Sequence, residues 1–187
     1  MEVIETSIPG VKIIKPRVFA DERGYFFESY SKREFCEKVE DIEFVQDNQS
    51  KSSYGVIRGL HFQVPPFAQS KLVRCVQGKV LDVAVDIRKG SPTYGKHVAV
   101  ELSEDNQLQL FIPKGFAHGF SVLSEKAVFQ YKCDNYYHPE SEGGINLFDS
   151  EIKIDWRINK EAAIISEKDN LREGIKLFQT PFTYGKI

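Results

Sequence analysis

The sequence predicts an all-β architecture, a barrel or double-sheet sandwich such as a jelly roll, and three observations carry that expectation. Apolar and polar residues alternate at a period of two in many short runs. Gly, Pro, Asn or Asp breaks each run, as between half-buried antiparallel strands. Helix signals are few, and many short strands at regular spacing in a chain of 187 residues fit a closed or two-layered β fold.

The runs begin with VKII at Val11 and GYFFESY at Gly24. Ser31-Lys-Arg-Glu34 has the spacing of a capping box and predicts a short amphipathic helix. VIRGLHFQ at Val56, KLVRCVQ at Lys71 and KVLDVAVDI at Lys79 follow as strands. Gln77-Gly78 between the last two predicts a hairpin turn, Gly supplying the positive φ of a tight turn. HVAVEL at His97, LQLFI at Leu108 and AVFQYKC at Ala127 complete the set, and the C-terminal stretch is expected to hold another helical turn. No linker, low-complexity tract or repeat interrupts the chain, so residues 1–187 are read as one domain.

Composition narrows the function classes. With 41% hydrophobic, 28% charged and 12% aromatic residues the chain has the makeup of a soluble globular protein. Lys plus Arg number 25 against 27 for Asp plus Glu, a formal charge of -2, so no general attraction to nucleic acid or anionic membranes is expected. Three widely spaced cysteines, Cys36, Cys75 and Cys133, form no CxxC pair and are read as small core residues in a reducing compartment. The N-terminus lacks the basic and apolar regions of a signal peptide, and no apolar run reaches membrane-spanning length. A cytoplasmic location follows as an expectation.

Polar groups then stand out within otherwise apolar strands. In VIRGLHFQ, alternation sets His61 and Gln63 on one face and Leu60 and Phe62 on the other. Taken alone, His61 reads as a satisfied core or surface histidine. Lys71 is in phase with Val73 and Cys75, and Asp82, Ala84 and Asp86 share a face against Val83, Val85 and Ile87. For Lys71 and Asp86 a solvated sheet face or an ion pair competes with a functional role.

PKGFAHGF, from Pro113 to Phe120, places Pro, Gly and His as PxGxxH and resembles the second motif of the cupin superfamily of jelly-roll barrels. Metal-binding cupins carry HxH in their first motif, whereas the corresponding stretch here is His61-Phe62-Gln63. An amide is a poor transition-metal ligand, so a bound metal is disfavoured.

FVQDNQS at Phe44, VIRGLHFQ at Val56, KLVRCVQGKVLDVAVDIRKGSPTYG at Lys71, FIPKGFAHGF at Phe111, YKCDNYYHPESEGG at Tyr131 and ISEKD at Ile165 occur in one order at set spacings. As a set, from about Arg17 to Asp169, they closely resemble the RmlC family of sugar-nucleotide epimerases, the dTDP-4-dehydrorhamnose 3,5-epimerases. The resemblance implies a cupin-type jelly-roll barrel with a few short helices. It also implies an isomerase that inverts the carbons flanking the ketone of a nucleotide-linked 4-keto-6-deoxyhexose, as in dTDP-rhamnose and polysaccharide biosynthesis, with neither metal nor organic cofactor. Such chemistry needs a base on one face, stabilisation of the enolate oxygen and an acid on the opposite face.

The resemblance assigns the residues. His61 matches the base, and a free imidazole titrating near about 6.5 is basic at neutral pH. Asp169 matches its partner, although Ser166-Glu-Lys-Asp169 read alone fits a capping box. Tyr131 matches the acid, its phenol staying protonated below about pH 10; read alone, it is a core aromatic. Lys71 matches a cation near the sugar and His118 a substrate contact. Arg23, Glu28, Gln46, Asn48, Arg58, Glu142 and Lys168 match further ligand positions. Arg23 and Glu28 lie on an arm, Asp21 to Phe26 and onward, that in the family crosses a dimer interface, so a homodimer in which they serve the neighbouring subunit is expected.

One region departs from the family pattern, at Leu147-Phe148 and Trp156-Arg157, and is expected to alter the substrate-side wall near Glu142. Other readings stay open: an epimerase acting at one centre or on another nucleotide-linked sugar, a metal-dependent cupin dioxygenase, or a sugar-binding cupin without catalysis.

Overall fold

A computed structural model describes residues 1–186. Its strands are β1 (Glu2–Glu5), β2 (Lys12–Lys15), β3 (Phe19–Asp21), β4 (Gly24–Phe26), β5 (Gln46–Ser53), β6 (Ile57–Gln63), β7 (Lys71–Gln77), β8 (Lys79–Asp86), β9 (His97–Ser103), β10 (Gln109–Ile112), β11 (Phe116–Val122), β12 (Lys126–Cys133) and β13 (Glu142–Gly144), with short helices α1 (Lys32–Lys38) and α2 (Glu167–Asn170). One sheet runs β1-β2-β10-β7-β12-β5, a second β13-β6-β11-β8-β9, and β3 pairs with β4 in a separate arm. Neighbouring strands are antiparallel throughout. The all-β jelly-roll expectation is met. Among the described residues no helix is long and apolar enough to cross a membrane.

Period-two alternation sorts the side chains into three layers. Between the sheets lie Val73, Cys75, Val80, Ala84, Leu110, Phe120 and Phe129. The other face of β8 contributes Leu81, Val83 and Val85, and Ile87 just beyond it continues the row, to an outer core covered by Ile145, Leu147, Trp156 and Phe182 from the C-terminal stretch. On the six-stranded sheet, Ile14, Leu72 and Phe111 are covered by Phe35 and Val39 of the α1 region. β8 is therefore buried on both faces, as a strand between two cores must be, with Asp82 and Asp86 the buried charges on one of them.

Several local expectations need correction. Gly78 has φ of +75, as foreseen, but β7 and β8 belong to different sheets, so Gln77-Gly78 is a corner between layers and not a hairpin. The α1 helix forms with Ser31 at its N-cap position, yet the Ser31 side chain makes no cap bond. Glu34 instead meets the Met1 amino group at 3.3 Å and Lys38 at 2.8 Å, charged partners that draw it away from the backbone. Cys75 and Cys133 are buried, while Cys36 is only half-buried. Of GYFFESY, only Gly24–Phe26 is strand.

Asp86 is in a buried ion pair, one of the two readings its position allowed. Its carboxylate accepts from Arg88 Nε at 2.9 Å, Arg88 Nη2 at 2.7 Å, Ser91 Oγ at 2.6 Å and Thr93 Oγ1 at 2.7 Å. The Arg88 guanidinium lies 4.4 Å from the Phe116 ring and 5.0 Å from that of Tyr184, which ties the C-terminal stretch to the sheet.

Two predictions follow from this packing. Gly90 (φ +82) has nothing within 4 Å of an added methyl, so Gly90→Ala should cost only the left-handed backbone strain, about 1–2 kcal/mol. Gly78→Ala should lower the chemical-denaturation free energy clearly more, because its methyl would overlap the Lys126 carbonyl oxygen. Burial alone would raise Asp86, but its bonds from Arg88, Ser91 and Thr93 outweigh it and hold the carboxyl below the usual range. A depressed native carboxyl stabilises the fold above its unfolded pKa, and that contribution is lost as pH falls through the lower native value. The melting temperature should thus decline below about pH 4, and Asp86→Asn should make that decline shallower; an unchanged acid limb would remove Asp86 as its source.

Candidate active site

A cleft of about 580 Å³ opens between the sheets, lined by Arg58 and His61 of β6, Lys71 of β7, His118 and Phe120 of β11, Phe129 and Tyr131 of β12, Glu142, and the stretch Ile164 to Asp169. A second hollow of about 450 Å³ shares His61, Lys71, Tyr131 and Glu142 and adds Gln46, Asn48, Gln63, Gln69 and Tyr137. Of the twelve residues singled out from the sequence, ten line one or both of these spaces.

Strict alternation would send Arg58 and His61 to opposite faces of β6, yet both line the cleft. The register with β11 explains this. His118 pairs with His61 but Phe120 pairs with Arg58, so β6 holds one extra residue there, a β-bulge. Consistently, Ile57, Leu60 and Phe62 all reach the outer core. The bulge sits at Gly59, with φ of +146, where a methyl would lie 2.6 Å from the Gly119 Cα. A methyl on Gly119 would in turn lie 2.7 Å from the Arg58 carbonyl oxygen. Only two glycines can face each other here.

His61 Nε2 lies 2.6 Å from Asp169 Oδ1, and the Asp169 side chain is only 5% exposed. Burial pushes the Asp169 carboxyl up, but the hydrogen bond and charge of His61, the Ser166 hydroxyl and the Gly59 backbone together bring it below the usual range. An ionised carboxylate can only accept, so Nε2 carries a proton and Nδ1 is the nitrogen turned to other partners. Ser166 Oγ also accepts from the Asp169 backbone N–H at 3.1 Å. Ser166 to Asp169 thus forms a helix cap through the Asp169 backbone and meets His61 through the Asp169 side chain.

A second imidazole–carboxylate pair stands beside the first. His118 Nε2 is 2.9 Å from Asp82 Oδ2, and both groups are buried. Burial lowers the His118 pKa against the pull of Asp82, which favours neutral imidazole. Asp82 Oδ1 has no hydrogen-bond partner among the described residues. The sequence signal for Asp82 was a carboxylate sharing a strand face with Ala84 and Asp86, but nothing local told which side chain would meet it. Lys71 Nζ lies 5.8 Å from the Tyr131 ring centroid. Burial pushes the Lys71 ammonium down and the Tyr131 phenol up, so the phenol stays protonated at neutral pH.

The remaining predicted residues divide. Arg58 donates from Nε to Ser52 Oγ at 3.1 Å, and Gln46 Nε2 donates to Asn48 Oδ1 at 3.0 Å. Glu142 and Lys168 are joined at 2.6 Å, and Glu142 also accepts from Tyr137 Oη at 2.8 Å and Arg172 Nη2 at 3.2 Å. Tyr137 and Arg172 had no distinguishing signal in the sequence. Arg23 and Glu28 do not line the cleft of their own chain; Arg23 pairs with Asp21 on the β3–β4 arm and borders a separate depression.

Gln63, which replaces a histidine of the metal-binding cupin motif, spends its amide inside the protein. Nε2 donates to the carbonyls of Phe67 at 2.7 Å and Tyr136 at 3.1 Å, and Oε1 accepts from His138 N at 2.7 Å. The atypical region needs correction too. Leu147 and Trp156 are buried in the outer core, and Trp156 Nε1 donates to the Leu147 carbonyl at 2.7 Å. That region covers the back of the five-stranded sheet and does not form the cleft wall.

The family model for dTDP-4-dehydrorhamnose 3,5-epimerase matches residues 5–176. The dTDP-4-dehydrorhamnose 3,5-epimerase of Shigella flexneri is 56% identical over 90% of this chain and 93% of its own. A crystal structure of the enzyme of that name from Elizabethkingia anophelis is 53% identical with a TM-score of 0.89, covering 94% of this chain and 97% of that one. The RmlC structure of Legionella pneumophila, in complex with dTDP-4-keto-L-rhamnose, is 48% identical with a TM-score of 0.91 over 95% of this chain and 94% of that one. On sequence and fold alike, the chain belongs to the dTDP-4-dehydrorhamnose 3,5-epimerase family.

Proposed function

We propose that this protein is an isomerase that epimerises a dTDP-linked 4-keto-6-deoxyhexose at C3 and C5, converting dTDP-4-dehydro-6-deoxyglucose to dTDP-4-dehydro-L-rhamnose. The observation that carries the reading is the His61–Asp169 dyad, held at 2.6 Å in a cleft whose opposite sheet supplies Tyr131.

In this reading His61 Nδ1 takes the proton next to the ketone. Asp169 orients the imidazole through Nε2 and stabilises the imidazolium that forms. Lys71 supplies positive charge to the enolate oxygen, where donors kept out of water act most strongly, and His118, its Nε2 engaged by Asp82, is a contact for the substrate. Tyr131, protonated and on the facing sheet, returns a proton from the other side, so the centre inverts. Arg58 holds diphosphate oxygens with a forked guanidinium, and Gln46 and Asn48 meet the base or sugar edges. Glu142 and Lys168 bind as a pair at the rim.

A homodimer completes the reading, with Arg23 and Glu28 reaching the neighbouring subunit's cleft. Its support is the arm itself, where Phe19, Tyr25 and Phe26 are 51%, 58% and 67% exposed, a large apolar patch for a free surface. A cytoplasmic setting accords with three free thiols.

Incubation with dTDP-4-keto-6-deoxyglucose in deuterated water, read by mass and NMR, is expected to place deuterium at both C3 and C5. Label at one position would narrow the enzyme to a single-centre epimerase, and no label would overturn the reading. Asp169→Asn should fold normally yet lose at least about 10²-fold in kcat, the low end of what a positioned acid–base group contributes. Tyr131→Phe should depress net inversion more than it depresses solvent exchange; equal losses would take the acid role from Tyr131.

A further inference from the structure

We propose that Arg172 is a positioning residue for the dyad: through Glu142 it holds the short helix that presents Asp169 to His61. The inference rests on the epimerase reading and assigns a residue that no part of that reading uses.

Helix α2 has four residues, too few to be stable on its own. Asp169 nevertheless sits within hydrogen-bond range of His61, so its position must be imposed from outside the helix. Two cations bracket it, Lys168 before and Arg172 after, and both end on Glu142 Oε1, at 2.6 Å and 3.2 Å. Glu142 belongs to β13, which pairs with β6 so that Glu142 faces Gln63 and Gly144 faces His61. The carboxylate thus fastens the segment carrying Asp169 to the strand neighbouring the one that carries His61.

The two cations are unequal. The Lys168 side chain is 59% exposed, so its pair is screened by water and weakly constraining. Arg172 is 20% exposed against 16% for Glu142, which leaves their contact largely desolvated. The Arg172 stem is also fitted into the fold. A methyl on Gly144 would lie 2.8 Å from Arg172 Nε, so that glycine leaves the room in which the guanidinium lies. Arg172 O accepts from Asn146 Nδ2 at 3.1 Å, and the Arg172 backbone N–H donates to Asp169 O at 3.4 Å. Arg172 Nε is buried with no acceptor among the described residues, so the only side-chain bond of this group is the one to Glu142.

The test is a double-mutant cycle read by turnover and by NMR. Arg172→Gln is expected to lower kcat about tenfold, a coupling within the range for contacting residues, with KM nearly unchanged because Arg172 does not line the cleft. Arg172→Lys should recover most of that loss by restoring a cation on Glu142. In an Asp169→Asn background Arg172→Gln should have no further effect, and the far-downfield imidazole proton of the His61–Asp169 bond should weaken in Arg172→Gln but persist in Arg172→Lys. Additive losses in the cycle, or an unchanged kcat and proton signal in Arg172→Gln, would overturn the proposal. Arg172→Met, which keeps the apolar stem without the charge, carries the same expectations if the glutamine variant does not fold. Absence of ring-hydrogen exchange in the wild type would refute the epimerase reading alone, since the proton signal still tests the positioning.

Discussion

Gly59 and Gly119 meet backbone to backbone, and the use of β6 depends on that contact. Because neither carries a side chain, β11 can approach β6 closely enough for the bulge to form, and the bulge shifts the phase of the strand by one residue. Upstream of it, Ile57 faces the outer core and Arg58 the cleft; downstream, Leu60 and Phe62 face the outer core and His61 the cleft. One inserted residue thus keeps the apolar set buried and brings a guanidinium and an imidazole to the same side.

Charge in the cleft is then organised by burial. Asp169 is desolvated yet held ionised by its donors, whereas burial lowers the pKa of His118 and of Lys71 and keeps Tyr131 protonated. Groups whose environments drive their protonation states apart can serve as base and acid in one site. The dyad is internally consistent in the same way, since an ionised Asp169 fixes which imidazole nitrogen bears the proton. Glu142 plays an analogous part at the rim, where burial would raise its carboxyl but Lys168 and the Tyr137 phenol hold it below the usual range.

The C-terminal stretch joins stability to function. Its apolar residues seal the outer face of β8, Arg88 stacks against Tyr184, and between these anchors the same stretch delivers Asp169 to His61. Loosening this cover would expose the outer core and move a dyad member together. The departures at Leu147-Phe148 and Trp156-Arg157 fall within this cover, on the side away from the cleft, and so bear on packing before they bear on substrate.

Much was legible in the sequence because it is written in local periodicity. The period of two in KVLDVAVDI separated Asp82 and Ala84 from Val83, Val85 and Ile87 without reference to any other strand, and the run of such segments implied the jelly roll. Motif spacing, through resemblance, marked His61, Lys71, His118, Tyr131 and Asp169. Local pattern could not tell that Gly78 turns a corner between sheets, since positive φ serves either geometry. Nor could it tell that β6 slips phase at Gly59, that Asp82 meets His118 across 36 positions, or that Glu142 binds Lys168 and Arg172. Those outcomes depend on which backbones come close enough to exclude a side chain and which charges are desolvated together. Such quantities exist only between segments distant in the chain, and the tertiary structure alone decides them.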